Sequence, residues 1–271
     1  MFKLKNLSNS TETVVTPTIF NDKTSQCWKL PENVLIRSSK FKIVWYFESE
    51  AEVIQLLQLS NLLHNTGEVV ELFIPYFPYA RQDKRISNES TFAQETILTL
   101  LETYFECGIT VFDLHNPSIC ATRNVFNITP EKYIVKSMID ARTDLVCYPD
   151  AGASKRYGEL ADFIVSEKSR DQATGEILGH KLLESKHDLE GRTVMVVDDI
   201  ADGSATFISM AKMLKEKGVA NIDLYVSHGI FSKGLHIVKH AGIRNIYTTD
   251  SYIGSSEMTR SLITQIYKVE E

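Results

Sequence analysis

Two adjacent carboxylates closing an apolar run, followed by a turn of small residues, make the most chemically suggestive stretch of this chain: residues 194–206, VMVVDDIADGSAT. Asp198 and Asp199 can accept hydrogen bonds from sugar hydroxyls or hold Mg²⁺. The turn through Asp202, Gly203, Ser204, Ala205 and Thr206, opening a helix, exposes backbone N–H groups to an anion. Together they read as a cradle for a ribose phosphate; the plainer alternative is an acidic strand end, an N-cap and an ordinary helix. Three other apolar runs end in polar clusters: Ile74 leads into PYFPYARQDKR, residues 111–112 into DLH, and residues 147–148 into PDAGASKR. In an open parallel sheet ligands bind outside the carboxyl ends of the strands, so the shared placement of four clusters outweighs any one residue.

The elements that must position these clusters are legible as short β-rich runs alternating with helical patterns, the signature of βαβ units. Strands are expected over residues 41–47, 69–74, 109–113, 145–148, 163–165, 193–197, 222–226 and 243–248. Helices are expected over 49–64, 91–106 and 204–215, where apolar residues recur at helical spacing, with Gly67, Gly108 and Gly218 at their ends. A polar stretch at 124–136, NVFNITPEKYIVK, marks the expected boundary between two α/β lobes, and the polar residues 167–190 are expected to form a mobile functional loop.

At 271 residues the chain is long enough for one large α/β unit or two modest ones. Its 29 basic and 35 acidic residues leave a net charge of −6, which argues against a general nucleic-acid binder and requires local positive charge wherever an anion is held. Cys27, Cys107, Cys120 and Cys147 are widely spaced, so neither a CxxC metal site nor a disulfide framework is expected. The opening residues, MFKLKNLSNSTETVV, lack the apolar region of a secretory leader, and no apolar run approaches the length of a membrane span; a soluble cytoplasmic protein is expected.

Residues 194–206 resemble the phosphoribosyl-diphosphate loop of type I phosphoribosyltransferase-fold proteins. Residues 74–85, IPYFPYARQDKR, resemble the nucleotide-binding signature of one family on that fold, the ribose-phosphate diphosphokinases, which make phosphoribosyl diphosphate rather than consume it. The resemblance runs from about residue 18 to 250, including SHGIFS at 227–232. It implies that Arg81 and Gln82 contact ATP, the one offering a planar fork to phosphate oxygens and the other a neutral donor. It implies that His115, in FDLH, holds the metal–nucleotide complex, and that Asp150 and Gly152, in YPDAGASKR, position Mg²⁺ and admit the diphosphate. By the same resemblance Lys168 and Arg170, in SEKSR, are the catalytic pair that closes over the reacting phosphates. The resemblance also implies that Phe20 and Asp22, in TIFNDKTSQ, reach the adenine bound by a neighbouring subunit. Three positions depart from the family pattern: Lys23 and Thr24 replace a Gly-Glu, and Ala153 a second glycine.

The implied architecture is α/β, two phosphoribosyltransferase-like lobes at 1–133 and 134–271, each a mostly parallel sheet flanked by helices. The first lobe is expected to bind ATP and the second the ribose phosphate and diphosphate, with the site between them in a homo-oligomer, a dimer or a hexamer. The implied reaction is transfer of a diphosphoryl group from ATP, with Mg²⁺, to the anomeric hydroxyl of ribose 5-phosphate, releasing AMP. The family's DTGGT is here Asp202-Gly203-Ser204-Ala205-Thr206, so a hydroxyl donor is missing at Gly203 unless Ser204 replaces it. That loss disfavours a phosphate monoester of nearly two charges and favours a singly charged diester, which leaves ADP-ribose, and with it NAD metabolism, as an alternative. A phosphoribosyltransferase and a non-catalytic regulatory subunit are the remaining alternatives; no nucleic acid or membrane partner is expected.

Overall fold

The computed structural model describes residues 1–28, 30–32, 34, 39–65, 69–158, 160–170, 177–183, 187–252 and 260–270, the side chains of 168–170 and 177–178 excepted. The chain divides into two compact units, Met1–Thr129 and Pro130–Glu270. The division falls just ahead of a helix that the expected 133/134 boundary would have cut, at a proline whose fixed φ suits the start of a helix.

The first unit opens with β1 (Phe2–Asn6) and β2 (Thr11–Val15), then a two-stranded hairpin, β3 (Thr18–Ile19) and β4 (Ser25–Gln26). β5 (Phe41–Trp45), α1 (Ala51–His64), β6 (Val70–Ile74), α2 (Ala93–Glu102), β7 (Ile109–Phe112) and β8 (Val125–Ile128) follow. The sheet order is β2-β1-β5-β6-β7-β8, antiparallel at β2-β1-β5 and parallel thereafter. The sequence FKLKN of β1 alternates strictly, sending Phe2, Leu4 and Asn6 to the buried face. Buried Asn6 is satisfied: its Nδ2 donates to Val34 O and Ser39 Oγ, each at 2.9 Å. Inner strands such as β6, VELFI, are almost continuously apolar because parallel strands are covered on both faces, here partly by Leu56, Leu59 and Leu63 of α1.

The second unit runs α3 (Glu131–Ala141), β9 (Leu145–Tyr148), α4 (Ala151–Tyr157), β10 (Phe163–Arg170), β11 (Ile177–Leu182), β12 (Thr193–Ala201), α5 (Ala205–Glu216), β13 (Asn221–Gly229), α6 (His236–His240), β14 (Ile243–Thr249) and β15 (Gln265–Tyr267). The sheet order is β11-β10-β9-β12-β13-β14-β15, parallel except for β11. α5 packs Phe207, Met210, Ala211 and Leu214 into the core of this unit and lies against β11. Asp223, fully buried on β13, is held by Arg244 Nη2 at 2.7 Å, as a buried charge must be.

The polar stretch at 124–136 holds the division between the units: it is β8 followed by the start of α3, with Val125 in the core. Two expectations need correction. The polar excursion at 167–190 is not one loop, since β10 continues to Arg170 and β11 returns antiparallel beside it; residues 171–176 and 184–186 lie outside the described residues, as does Gly67. Asp198 and Asp199 do not close their strand. β12 runs through them to Ala201, because pairing with β13 continues past Asp198↔Val226 to Ala201↔Gly229. No strand is expected before residue 41; there β1 pairs with β5 and β2 with β1, while β3 and β4 pair only with each other.

Candidate active site

In the first unit two loops meet at the carboxyl end of the parallel strands. After β6 the chain turns at Tyr79, which adopts φ 62° and donates its hydroxyl to Glu50 Oε1 at 2.6 Å. Burial and this bond to a carboxylate push the Tyr79 phenol up to about 12. Gln82 N–H donates to Tyr79 O and Gln94 N–H to Gln82 O, so the turn bearing Arg81 and Gln82 is tied at both ends and both side chains are exposed. After β7, Asp113 adopts φ 45°, a conformation Asp tolerates better than most residues. Its N–H donates to Ile128 O at 2.8 Å, and Leu114 N–H to Asn127 Oδ1 at 2.8 Å, which presents the half-buried His115. Asn116 Nδ2 donates to Asp83 Oδ2 at 3.1 Å and joins the two loops. The structure thus brings Arg81, Gln82 and His115 to neighbouring loops.

Phe20 and Asp22 sit on the β3–β4 hairpin, which Gln58 of α1 holds by donating to Ser25 O at 2.9 Å and accepting from Cys27 N–H at 3.1 Å. Phe20 is exposed. The Asp22 carboxylate accepts from Thr24 Oγ1 at 2.7 Å and Thr24 N–H at 3.0 Å, and these bonds hold its pKa below the usual value.

In the second unit the acidic and small residues gather at the ends of β9 and β12. Asp150 caps α4: its Oδ1 accepts from Gly152 N–H at 2.9 Å and Ala153 N–H at 3.0 Å. A Cβ at Gly152 would stand 3.1 Å from that oxygen, which accounts for glycine there. Arg156 of the same helix donates from Nη2 to Asp199 Oδ1 at 2.8 Å and Asp198 Oδ1 at 3.3 Å. Burial, and then the charge of Asp199, drive the Asp198 pKa well above the usual value, with Arg156 opposing. Beyond β12, Ser204 adopts φ 63° and its side chain does not cap α5; its Oγ donates instead to Asp202 O at 3.3 Å. The first-turn N–H groups of α5 thus have no side-chain cap from Ser204.

Lys168 and Arg170 lie on β10 by backbone, opposite His180 and Ile177 of β11 with a bulge between Ser169 and Arg170; their side chains lie outside the description. Two residues of these loops escaped the sequence reading. Asn116 follows His115 directly, but its partner Asp83 is 33 residues away in sequence. Arg156 sits inside PDAGASKR, yet only the α4–β12 packing aims it at the acid pair. The SHGIFS segment places His228 buried on β13, Nδ1 at 2.7 Å from Ser251 Oγ, opposite Ile200.

For Mg²⁺, no group of three or more His, Cys, Asp or Glu side chains is placed to hold a metal among the described residues. A hard ion that binds through one or two carboxylates, substrate phosphates and water needs no such cage. Asp150, exposed and with one oxygen engaged in capping, suits that part.

Comparison with known proteins agrees with this arrangement. The family described as phosphoribosyl synthetase-associated domain matches residues 181–261. A ribose-phosphate pyrophosphokinase of Thermococcus kodakarensis is 28% identical over 197 residues, covering 70% of this chain and 69% of the relative. Ribose-phosphate pyrophosphokinase 2 of Saccharomyces cerevisiae is 30% identical over 191 residues, 65% of this chain and 59% of the relative. The crystal structure of phosphoribosylpyrophosphate synthetase from Mycobacterium smegmatis superposes with a TM-score of 0.79 at 18% identity, covering 96% of this chain and 87% of that one. The fold is therefore the α/β architecture of that synthetase structure, with mostly parallel sheets flanked by helices. In sequence the chain is similar to ribose-phosphate pyrophosphokinases over about two thirds to three quarters of its length.

Proposed function

We propose that this protein transfers the terminal diphosphoryl group of ATP to the anomeric hydroxyl of a 5-phosphorylated ribose, in the simplest case ribose 5-phosphate. The hydroxyl oxygen forms a bond to the β-phosphorus, the bond from that phosphorus to the oxygen bridging it to the α-phosphorus breaks, AMP leaves with the electron pair, and the hydroxyl proton passes to solvent. The observation that carries the reading is the pairing, in one chain, of two kinds of site. One is an acid pair beside an uncapped helix N-terminus, suited to a sugar phosphate. The other is a joined pair of loops bearing Arg81, Gln82 and His115, suited to a nucleotide. A simple phosphoribosyltransferase has no use for the second.

In this reading the first unit carries the ATP elements and the second the acceptor elements. Asp198 and Asp199 receive the ribose hydroxyls, residues 202–206 the 5-phosphate, and Asp150 with Gly152 the diphosphate. Arg81, Gln82 and His115 hold the nucleotide, while Lys168 and Arg170 face charge that builds on the transferring group, where positioned cations act most strongly. Asp150 would hold Mg²⁺ and His115 the metal–nucleotide complex, and the ion would neutralise phosphate charge. Phe20 stacks on, and Asp22 bonds to, the adenine of a neighbouring subunit, which makes the working form a homo-oligomer. We place the reaction in the cytoplasm; no helix among the described residues is long and apolar enough to cross a membrane.

The test is AMP formation from MgATP and ribose 5-phosphate, or ADP-ribose, by the intact chain and by Arg81→Ala and Lys168→Ala. Acceptor-dependent AMP that falls on the order of 10²-fold or more in Lys168→Ala supports the reading. Acceptor-independent AMP, or none with either acceptor, overturns it.

A further inference from the structure

The turn after β13 sets a lysine beside the phosphate loop. Phe231 N–H donates to Ala201 O, the last residue of β12, at 2.9 Å, and Gly234 N–H donates to Phe231 O at 2.8 Å. Phe231 at φ 46° and Gly234 at φ 79° bend the chain sharply, and buried Phe231 and Leu235 pin both ends of the turn. Lys233, on this fixed turn, is exposed and forms no ion pair among the described residues. A Cβ built at Gly203 would lie 3.8 Å from Lys233 Cε and would meet nothing nearer.

Two consequences follow from that contact. The side-chain space above Gly203 is open, so the loop offers the first phosphoryl group backbone N–H donors but no hydroxyl at this position. The Lys233 stem borders that space at van der Waals distance, which sets an exposed cation with no ion pair among the described residues beside the loop. A lysine ammonium close to a helix N-terminus is repelled by it unless an anion binds between the two. A monoester concentrates nearly two charges on one phosphorus, whereas a diphosphate ester spreads about one on each of two, matching two separated positive centres.

We propose that Lys233 is a specificity-determining residue that engages a second phosphoryl group, beyond the one held by residues 202–206, so that the favoured acceptor is a ribose whose 5-phosphate is extended as a diphosphate ester. The proposal rests on residues 202–206 holding the acceptor's phosphate. ADP-ribose is the probe for the extended acceptor and ribose 5-phosphate the probe for the simple one.

The experiment measures kcat/KM for both acceptors with MgATP in the intact protein, Lys233→Ala and Gly203→Thr, and separately titrates ADP-ribose calorimetrically without ATP. Lys233→Ala is expected to lower kcat/KM for ADP-ribose about tenfold, through KM, while ribose 5-phosphate changes little. Gly203→Thr is expected to shift the ratio toward ribose 5-phosphate, because it returns a hydroxyl and fills the space. Equal losses on both acceptors, no loss on either, or a loss confined to ribose 5-phosphate overturns the proposal while leaving the diphosphokinase reading in place. Should the intact protein form no AMP, that reading fails by itself. The titration then decides on Lys233: tenfold weaker ADP-ribose binding in Lys233→Ala supports it and unchanged binding overturns it.

Discussion

Arg156 Nη2 stands 2.8 Å from Asp199 Oδ1 and 3.3 Å from Asp198 Oδ1, so one guanidinium on α4 serves two neighbouring carboxylates on β12. The arginine and both acids are largely buried, the Asp199 side chain at 3% exposure. Removing the cation leaves two poorly solvated carboxylates together. Arg156→Ala is expected to lower unfolding free energy by about 3 kcal/mol at neutral pH in urea denaturation. Arg156→Lys, which keeps the charge without the fork, should recover part of that loss. A change within experimental error in Arg156→Ala would show the pair to be energetically idle.

Asp198 gives a pH dependence of definite sign. Burial and the charge of Asp199 raise its pKa in the folded protein above the unfolded value. Its protonated form therefore favours folding below the usual carboxylate range, and that contribution is lost as pH rises through the raised folded value. Asp198→Asn removes the loss, so its stability relative to the parent should improve as pH rises above about 4. Parallel stability–pH profiles for the two proteins would contradict this account.

Gly152 faces the Asp150 oxygen that caps α4, and a Cβ there would stand at 3.1 Å from it. Gly152→Ala should displace the carboxylate from its two N–H donors and cost about 1 kcal/mol, the usual worth of an N-cap. Asp150→Ala should cost a similar amount, and the double variant little more than either alone, because both act through one cap. Thermal denaturation of the three variants measures this directly; additive losses would refute the shared cause.

Asn116 and Asp83 join the two nucleotide loops through a single hydrogen bond at 3.1 Å, with both side chains only half buried. Asn116→Ala should reduce stability by less than about 1 kcal/mol but raise KM for ATP, since the loops lose their mutual register. An unchanged KM would mean that the bond is incidental to nucleotide binding.

All four cysteines are free, and their environments differ. Cys107 is exposed, whereas burial pushes the Cys27 thiol up to about 11 and Cys147 up to about 12. A thiol reagent at neutral pH should label Cys107 first and reach Cys147 only on unfolding, because the thiolate is the reactive form. Mass mapping of the labelled protein tests the order.

Much of the parallel core was legible because buried parallel strands are apolar on both faces and their runs stand out from polar surroundings. LVCY at β9 matches its expected bounds at 145–148, and TVMVV begins β12 at Thr193. The outward lysines of β1, and in β8 the exposed Phe126 beside Asn127, hid those strands. Only pairing with β5 or β7 decides which side of such a run becomes core.

The same division holds for the candidate site. The chain itself determined which chemical groups follow which strands: Arg81 and Gln82 after β6, His115 after β7, Asp150 after β9, and the small-residue turn after β12. Local backbone preference and hydrophobic periodicity act over a few residues, which is the range of those motifs. Tertiary structure alone decided that Arg156 meets Asp198 and Asp199, that Asn116 meets Asp83, and that Lys233 lies beside Gly203. Each of these contacts joins residues about 30 or more apart in the chain, brought together by strand order and helix packing, which no local pattern encodes.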